Sequence, residues 1–294
     1  MVVAAVIGAA GRMGSWFADF LSKSGYRLIL TDRNKSAARR LARKHNFRFV
    51  EDQATVIESA QIVVLATPTH TTRRILERLD RETSRGKLFV EISSVKRPLS
   101  MTLRKAERRG ISVLSIHPMF GPSAEGISGK TILSIPTARR TRPADAFLTM
   151  LRRRGAKVVR CDLNEHDRLM SVVLTLPHFL NVVLANTLRS MGTDPNLLSK
   201  IAGPTFRLQL LIAEAVHHES LDSELSILMD DAYSDVALKK YAKQSTIMLN
   251  TIVRAKRDIM MRQLREGCKF LQKSRSFASS YRRFSEAVAV SDLD

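Results

Sequence analysis

Short apolar runs alternate with helical patterns in the first half of the chain. The apolar runs lie at residues 2–7, 26–31, 61–67, 87–93, 111–116, 130–136 and 156–161. Helical patterns fall between them, for example at 34–45, where Asn34 fits an N-cap, and at 143–154. Strands that are apolar throughout and that alternate with helices are typical of a mainly parallel sheet covered on both faces. Residues 1–162 are therefore predicted to form one doubly wound α/β domain.

The pattern changes after about residue 162, where strand signals nearly vanish. Long helical patterns occupy residues 165–191, 205–218 and 236–271, and the last is long enough to break into two helices. The tail from residue 273 is polar, and we expect its end to fray. Residues 163–294 are therefore predicted to form an all-α second domain or a dimerisation bundle.

Three glycines follow the first apolar run, in "VIGAAGRMGSWFA". Gly8 permits a tight turn, Gly11 lets backbone N–H groups approach a pyrophosphate, and Gly14 lets the helix pack close to the sheet. Ala10 stands where the commoner motif has its second glycine, and Arg12 and Met13 begin the helix. This position, at the first strand–helix junction, predicts a dinucleotide-binding turn.

Asp32 ends the second strand, about 20 residues beyond the turn, as in dinucleotide-binding folds of the Rossmann type. A carboxylate there accepts hydrogen bonds from ribose hydroxyls and repels a 2′-phosphate, which favours NAD. NADP stays open, because Arg33 or Arg12 could pair with that phosphate. Asp32 also fits an N-cap of the next helix.

Three further strand ends, at 66–70, 91–96 and 117–126, should meet the same crevice, because the carboxyl ends of parallel strands share one edge of a sheet. "ATPTH" at 66–70 places Ala66, Thr67 and Pro68 against the cofactor. "EISSVK" at 91–96 brings Ser94 and Lys96 to the edge, although Lys96 also fits a solvated position at a helix start.

"HPMFGPSAEG" at 117–126 follows the next strand and reads as a loop. Its prolines and glycines would hold His117 on a stiff turn, where an imidazole can act as a base near neutral pH. A second histidine, His178, follows Pro177 inside an apolar helical pattern, where the proline should kink the helix. Two interpretations of His178 stay open: a buried core histidine that has a hydrogen-bond partner, and a functional histidine.

Charge and cysteine content narrow the function classes. The formal net charge is +20, with basic residues dispersed along the chain and no aromatic-interleaved basic stripe, which disfavours a nucleic-acid partner. Such a charge also suits steering of a small anionic substrate. Cys161 and Cys268 are far apart and lack metal-type spacing, so we expect no metal site and a reducing cytoplasm. We see no signal peptide and no apolar run near the roughly 20 residues of a membrane span.

Taken in order, the glycine trio, "SSVK", "HPMFGP" and "EHDRLMSVVLTLPH" resemble the prephenate dehydrogenase family, which includes arogenate dehydrogenases. The resemblance covers about residues 1–190. It implies a Rossmann domain followed by a helical dimerisation domain, a homodimer, and the oxidative decarboxylation of prephenate to 4-hydroxyphenylpyruvate in tyrosine biosynthesis.

The resemblance also implies roles for single residues. His117 takes the proton of the ring 4-hydroxyl as hydride leaves for the nicotinamide, and Ser94 bonds that hydroxyl and orients His117. His178 holds the substrate, with Lys96 as a helper. The family often has an arginine where this chain has Leu211, and Arg207, one helical turn earlier, is the substitute that we expect to bind substrate carboxylates.

Other interpretations stay open. Arogenate differs from prephenate only in its side chain. A dehydrogenase of the β-hydroxyacid or imine type would use a lysine, or an asparagine–lysine pair, on a helix after the sheet, and no such helix is evident. A non-enzymatic dinucleotide sensor or nucleic-acid-binding protein rests on the +20 charge alone.

Overall fold

The computed structural model describes residues 1–137 and 141–291, which form two compact units. The first unit contains residues 1–170 together with 230–232, and the second contains 171–229 and the residues from 233 onward. Residues 292–294, the end of the predicted helical domain, lie outside the described residues.

The first unit is built on one eight-stranded sheet in the order β3-β2-β1-β4-β5-β6-β7-β8. The strands are β1 (Val3–Ile7), β2 (Arg27–Thr31), β3 (Arg48–Phe49), β4 (Ile62–Leu65), β5 (Leu88–Glu91), β6 (Ser112–Pro118), β7 (Thr131–Ile135) and β8 (Lys157–Arg160). Neighbouring strands are parallel except β6 and β7. The predicted doubly wound, mainly parallel sheet is confirmed. The two-residue β3 is an addition, too short to give an apolar run.

Helices cover both faces of this sheet. They are α1 (Arg12–Lys23), α2 (Lys35–His45), α3 (Gln53–Ser59), α4 (Thr69–Arg78), α5 (Arg97–Arg108), α6 (Arg142–Arg153) and α7 (Leu163–Met170). Successive strand residues enter different cores: Val64 and Val90 lie in one apolar cluster, while Val63 and Phe89 lie in the other. Because side chains alternate along a strand, this division explains why the strands are apolar throughout.

β6 is longer than the sequence indicates, and the prediction that His117 lies in a loop is wrong. His117 belongs to the strand and pairs with Leu133 of the antiparallel β7, and Pro118 pairs with Ile132. Pairing with the antiparallel β7 extends β6 beyond Ile116. The prolines and glycines of this segment predict a loop, so the local sequence does not reveal this pairing. The connecting loop is the segment 119–130.

The second unit is helical, as expected. It contains a π-helical segment (Ser171–Thr175), α8 (Leu176–Ser190), α9 (Pro195–Ile201), α10 (Pro204–His217), α11 (Leu221–Met229), α12 (Ser234–Val253), α13 (Arg257–Leu271), a 3₁₀ turn (Phe277–Ser279) and α14 (Ser280–Ser291). The long pattern 236–271 divides at Ala255, whose φ of +51° interrupts the helix. The tail expected to fray continues as α14 to residue 291.

One stretch bears on the expectation that no segment suits a membrane. α7, the π-helical segment and α8 make a run of 28 residues, Leu163–Ser190, long and apolar enough to cross a membrane by length and composition. Only 22% of its most apolar window is buried. One such helix is weak evidence for a span, because an apolar helix that packs against another protein surface has the same composition.

Candidate active site

The glycine turn joins β1 to α1 at the carboxyl edge of the sheet. Gly8 has a φ of +87°, and a Cβ there would lie 2.3 Å from the carbonyl oxygen of Ala66. A Cβ on Gly14 would lie 2.0 Å from the carbonyl oxygen of Gly8. Only glycine therefore fits at either position.

The N-terminus of α1 offers backbone donors to an anion. Gly11 is the N-cap, with no side-chain capping bond, and the first turn holds no acidic residue. Arg12 and Met13 are the first two helical residues, and the first N–H groups of a helix point out of its N-terminus. Such a terminus attracts a phosphate through its N–H groups and its dipole, so this turn fits the pyrophosphate of a dinucleotide.

Asp32 lies beside this turn, immediately after β2. One carboxylate oxygen accepts the N–H of Ala10 at 2.9 Å, and the other accepts the N–H of Asn34 at 2.7 Å. Asn34, and not Asp32, is the N-cap of α2. Each carboxylate oxygen can accept a second bond, so Asp32 retains capacity for ribose hydroxyls. Arg33 is exposed next to it.

β4 ends against the same turn. Ala66 contacts Gly8 through its carbonyl, and its N–H donates to the carbonyl of Ile7 at 2.9 Å. The hydroxyls of Thr67 and Thr72 lie 2.8 Å apart, which ties this corner to α4, and Pro68 is the N-cap of that helix. The order of the sheet reverses between β1 and β4, the place where doubly wound folds bind ligands.

His117 lies at the same edge, on the third strand from β1. Ile7, Leu65, Glu91 and Ser115 are level with one another across β1, β4, β5 and β6, and His117 lies two residues beyond Ser115. At a strand spacing of about 4.8 Å, β6 is roughly 14 Å from β1.

His117 is the first member of a buried chain of polar side chains. Its Nδ1 lies 3.0 Å from Nε2 of His166, and Nδ1 of His166 lies 2.9 Å from Oδ1 of Asp167. His117 is 4% exposed, His166 is fully buried and Asp167 is 1% exposed. Both new members come from α7. The prediction included neither, although the letters "HD" stood in the motif that carries the resemblance.

A buried ion pair lies next to this chain. Nζ of Lys96 is 2.7 Å from Oε1 of Glu91 and also donates to the carbonyl of Ile116 at 2.6 Å. Glu91 also accepts the hydroxyl of Ser115. Both members of the pair are 1% exposed, so Lys96 is not at a solvated helix start. The carboxylate within the apolar run 87–93 was the signal for such a pair, because a buried charge needs a partner.

The surroundings of His117 favour the neutral form of its imidazole. Burial, chiefly, and then the nearby Lys96 ammonium and His166 hold the pKa of His117 well below its ordinary value. Burial also lowers the pKa of Lys96, although Glu91 opposes that shift. A neutral imidazole at physiological pH can accept a proton.

Ser94, expected to orient His117, lies half-buried in the segment between β5 and α5. In the structure the His117 ring forms its hydrogen bond with His166. The neighbouring Ser93 donates its N–H to Glu91 at 2.9 Å. Ser94 and His117 thus belong to adjacent strand ends, β5 and β6, at one edge of the sheet.

His178 and Arg207 belong to the second unit. Nδ1 of His178 lies 2.8 Å from Oε2 of Glu224, a partner from α11 that the sequence did not indicate. Arg207 is half-buried on α10, with Nη2 3.5 Å from the carbonyl of Ala202, and Leu211 is 49% exposed. His178 therefore has a carboxylate to hold its ring.

The loop 119–130 is attached to α1 through Trp16. The indole N–H donates to the carbonyl of Ala124 at 2.7 Å, and the ring centroids of Trp16 and Phe120 are 4.8 Å apart. This contact fixes the loop that follows His117 against the helix that carries the glycine turn. Among the described residues, no group of three or more His, Cys, Asp or Glu side chains is placed to hold a metal ion.

Two family models match the chain. One is described as prephenate dehydrogenase, nucleotide-binding domain, and matches residues 17–133. The other is described as prephenate dehydrogenase, dimerization domain, and matches residues 162–266. Together they cover most of the chain.

Individual proteins agree with these matches. A probable arogenate/prephenate dehydrogenase of Methanocaldococcus jannaschii is 27% identical over 209 residues, covering 70% of this chain and 47% of that protein. A T-protein of Haemophilus influenzae is 26% identical over 243 residues, covering 82% of this chain and 59% of that protein. The chain thus spans about half the length of the curated relatives it matches.

A solved structure shares the fold. It is described as prephenate dehydrogenase from A. aeolicus in complex with hydroxyphenyl propionate and NAD+. Its TM-score is 0.76 at 22% identity, over 93% of this chain and 99% of that one.

Proposed function

Because the chain belongs to the prephenate dehydrogenase family, we propose that it catalyses the NAD-dependent oxidative decarboxylation of prephenate to 4-hydroxyphenylpyruvate. The observation that carries the proposal is a buried histidine, His117, at the edge of the sheet that also bears the glycine turn, where burial and Lys96 lower its pKa. His117 has its Nδ1 engaged by His166, so its Nε2 is the nitrogen available to a substrate hydroxyl.

NAD fits the residues at the turn. Gly8 and Gly14 lack the Cβ atoms that would collide with the carbonyl oxygens of Ala66 and Gly8. Asp32 can accept further hydrogen bonds from the ribose hydroxyls. Ala10, Arg12, Met13, Ala66, Thr67 and Pro68 are the remaining residues that we propose to contact the cofactor, with Arg33 next to the ribose site. When bound, the dinucleotide accepts the hydride from the substrate's C4.

The chain's own residues position the substrate and move one proton. His117 accepts the proton of the 4-hydroxyl, and Ser94 hydrogen-bonds that oxygen. Arg207 and His178 are proposed to bind the anionic groups of the substrate, and Lys96 acts from behind His117 through its charge. Loss of CO₂ makes the ring aromatic, so positioning and one base supply most of what the protein must provide.

We also propose a homodimer formed through the helical unit and a cytoplasmic location. Large apolar side chains on that unit are exposed, among them Leu221 at 82%, Val253 at 75% and Met229 at 74%, and a second copy would cover such a surface. Cys161 and Cys268 are both free thiols, which fits a reducing compartment.

The test is NADH or NADPH formation at 340 nm with prephenate and with arogenate, each offered with NAD and with NADP. We expect the highest kcat/KM with prephenate and NAD. His117→Asn should lower kcat by about 10²–10⁴-fold while NAD binding survives, as for loss of a general base. His218→Asn, at the exposed histidine that follows α10, is the matched control and should leave kcat unchanged.

The outcomes separate the alternatives. A higher kcat/KM with arogenate would reassign the substrate while leaving the reaction class intact. Binding of NAD without turnover of either substrate would favour a dinucleotide sensor, and binding of DNA or RNA in addition would favour a nucleic-acid-binding protein. An unchanged kcat in His117→Asn would refute the role of that histidine.

A further inference from the structure

We propose that His166 and Asp167 form a proton relay behind His117, so that the proton taken from the substrate is held on His166 beside the carboxylate of Asp167. This inference rests on the proposed function. Its basis is the buried chain of three side chains, with spacings of 3.0 Å and 2.9 Å between successive polar atoms.

The carboxylate at the end of the chain determines the direction of every hydrogen bond in it. Ionised Asp167 can only accept, so Nδ1 of His166 carries a hydrogen and donates it. Nε2 of a neutral His166 then has a lone pair and accepts the hydrogen on Nδ1 of His117. Nε2 of His117 is left with its lone pair, as a base requires.

The charges around the relay favour the arrival of one proton. Two carboxylates, Glu91 from β5 and Asp167 from α7, and one ammonium, Lys96 before α5, surround the two imidazoles. Their sum is one negative charge, which an accepted proton neutralises. Oδ2 of Asp167 is buried without a hydrogen-bond partner in the part of the chain that the structure describes, so this carboxylate gains strongly from a cationic neighbour.

The two imidazoles differ in what surrounds them. Lys96, with burial, keeps the pKa of His117 low, so a proton is poorly retained on that ring. His166 has the Asp167 carboxylate as its direct partner. Cys161 is a further titratable group on this side, and burial, then Glu165, Asp162 and Asp167, raise the pKa of its thiol, so it stays protonated. The relay therefore separates the base that touches substrate from the group that stores the proton.

The step balances in protons and electrons. The hydroxyl O–H bond breaks and an N–H bond forms at Nε2 of His117, while the Nδ1–H bond of His117 breaks and an N–H bond forms at Nε2 of His166. The hydride leaves with its electron pair for NAD. When CO₂ departs, the electrons of the broken C–C bond enter the ring, and the ring oxygen takes its proton back along the same path.

Asp167→Asn tests the relay with little change in shape. The amide oxygen still accepts from His166, and the amide nitrogen takes the place of the unpartnered Oδ2, so the charge is removed while the hydrogen bond to His166 is kept. We expect kcat to fall by about 10²-fold, with the substrate KM and the NAD Kd within about twofold of wild type. The acid limb of the kcat/KM profile should move to lower pH, because a positive charge in this buried chain is less favourable once the Asp167 carboxylate is removed.

Glu165→Gln is the matched control, because it removes an exposed carboxylate from the same turn of α7. Its kcat and its pH profile should match wild type. A purely structural role for Asp167 would instead lower stability and raise KM without moving the acid limb. An Asp167→Asn enzyme with wild-type kcat and an unmoved limb would overturn the relay.

A measurement without substrate separates this inference from the proposed function. Two-bond ¹H–¹⁵N spectra of the histidine rings, assigned with His117→Asn and His166→Asn, should show the Nδ1–H tautomer at both residues near pH 7. An Nε2–H tautomer at His117 would overturn the relay. If the wild-type protein turns over neither substrate, the proposed function fails, and these spectra still decide the hydrogen-bond chain.

Discussion

Removing the ammonium of Lys96 should destabilise the first unit measurably. Lys96→Met keeps the length of the side chain but leaves the carboxylate of Glu91, 1% exposed, without the cation 2.7 Å away. Breaking one side of a buried pair costs about 3–5 kcal/mol. Glu91 retains the N–H of Ser93 and the hydroxyl of Ser115, so we expect the free energy of unfolding to fall by about 3 kcal/mol.

A double-mutant cycle separates the ion pair from general packing. Glu91→Gln keeps one carbonyl oxygen for the N–H of Ser93, and its amide NH2 can donate to the hydroxyl oxygen of Ser115. The double variant with Lys96→Met removes both charges. The double variant should lose about 1–3 kcal/mol less than the two single losses combined. Denaturant unfolding followed by circular dichroism measures all four free energies, and additive losses would refute a coupled buried pair.

The same substitution should shift the pH dependence of activity. Lys96 contributes to holding the pKa of His117 down, so its removal raises that pKa. His117 is then protonated at higher pH, and the acid limb of kcat/KM moves up toward the ordinary histidine range near pH 6.5. Lys105→Met, at an exposed lysine on α5, should leave the limb where it is. An unmoved limb in Lys96→Met would contradict the electrostatic argument.

Three other substitutions address the cofactor and the substrate. Gly14→Ala places a Cβ 2.0 Å from the Gly8 carbonyl oxygen, so calorimetric titration should show at least about tenfold weaker NAD binding, whereas Gly121→Ala, with open space around it, should bind normally. Asp32→Ala should lower the ratio of kcat/KM with NAD to that with NADP by about tenfold; an unaltered ratio would count against the ribose role. Arg207→Gln should raise the substrate KM by about tenfold with kcat nearly constant, and an unchanged KM would remove Arg207 from the substrate site.

Local pattern sufficed for much of the first unit. Apolar runs flanked by glycine turns specify buried parallel strands. A Cβ at Gly8 or Gly14 would collide with nearby backbone, so the role of these two glycines could be predicted from the motif alone. Asn34 was identified as a cap because its role depends only on residues within one turn. These features are local, so the sequence alone was enough to predict them.

The rest depends on pairings between distant segments. His117 belongs to β6 because β7 pairs with it, and His166 reaches His117 from 49 residues away. Glu224 joins His178 from another helix. A short window of sequence does not show which distant polar side chains form hydrogen bonds with each other. The partners of His117 and His178 could therefore be identified only from the structure.

Trp16 is the only tryptophan in the chain, and it joins the helix of the glycine turn to the loop after His117. Fluorescence excited where tyrosine does not absorb therefore comes from this one site. A reduced nicotinamide absorbs where an indole emits, so its binding should quench that emission by energy transfer. Detachment of Phe120 and Ala124 in the loop from Trp16 should change the emission wavelength. The protein thus carries its own optical reporter, and rapid-mixing experiments can follow cofactor binding and loop movement without an attached label.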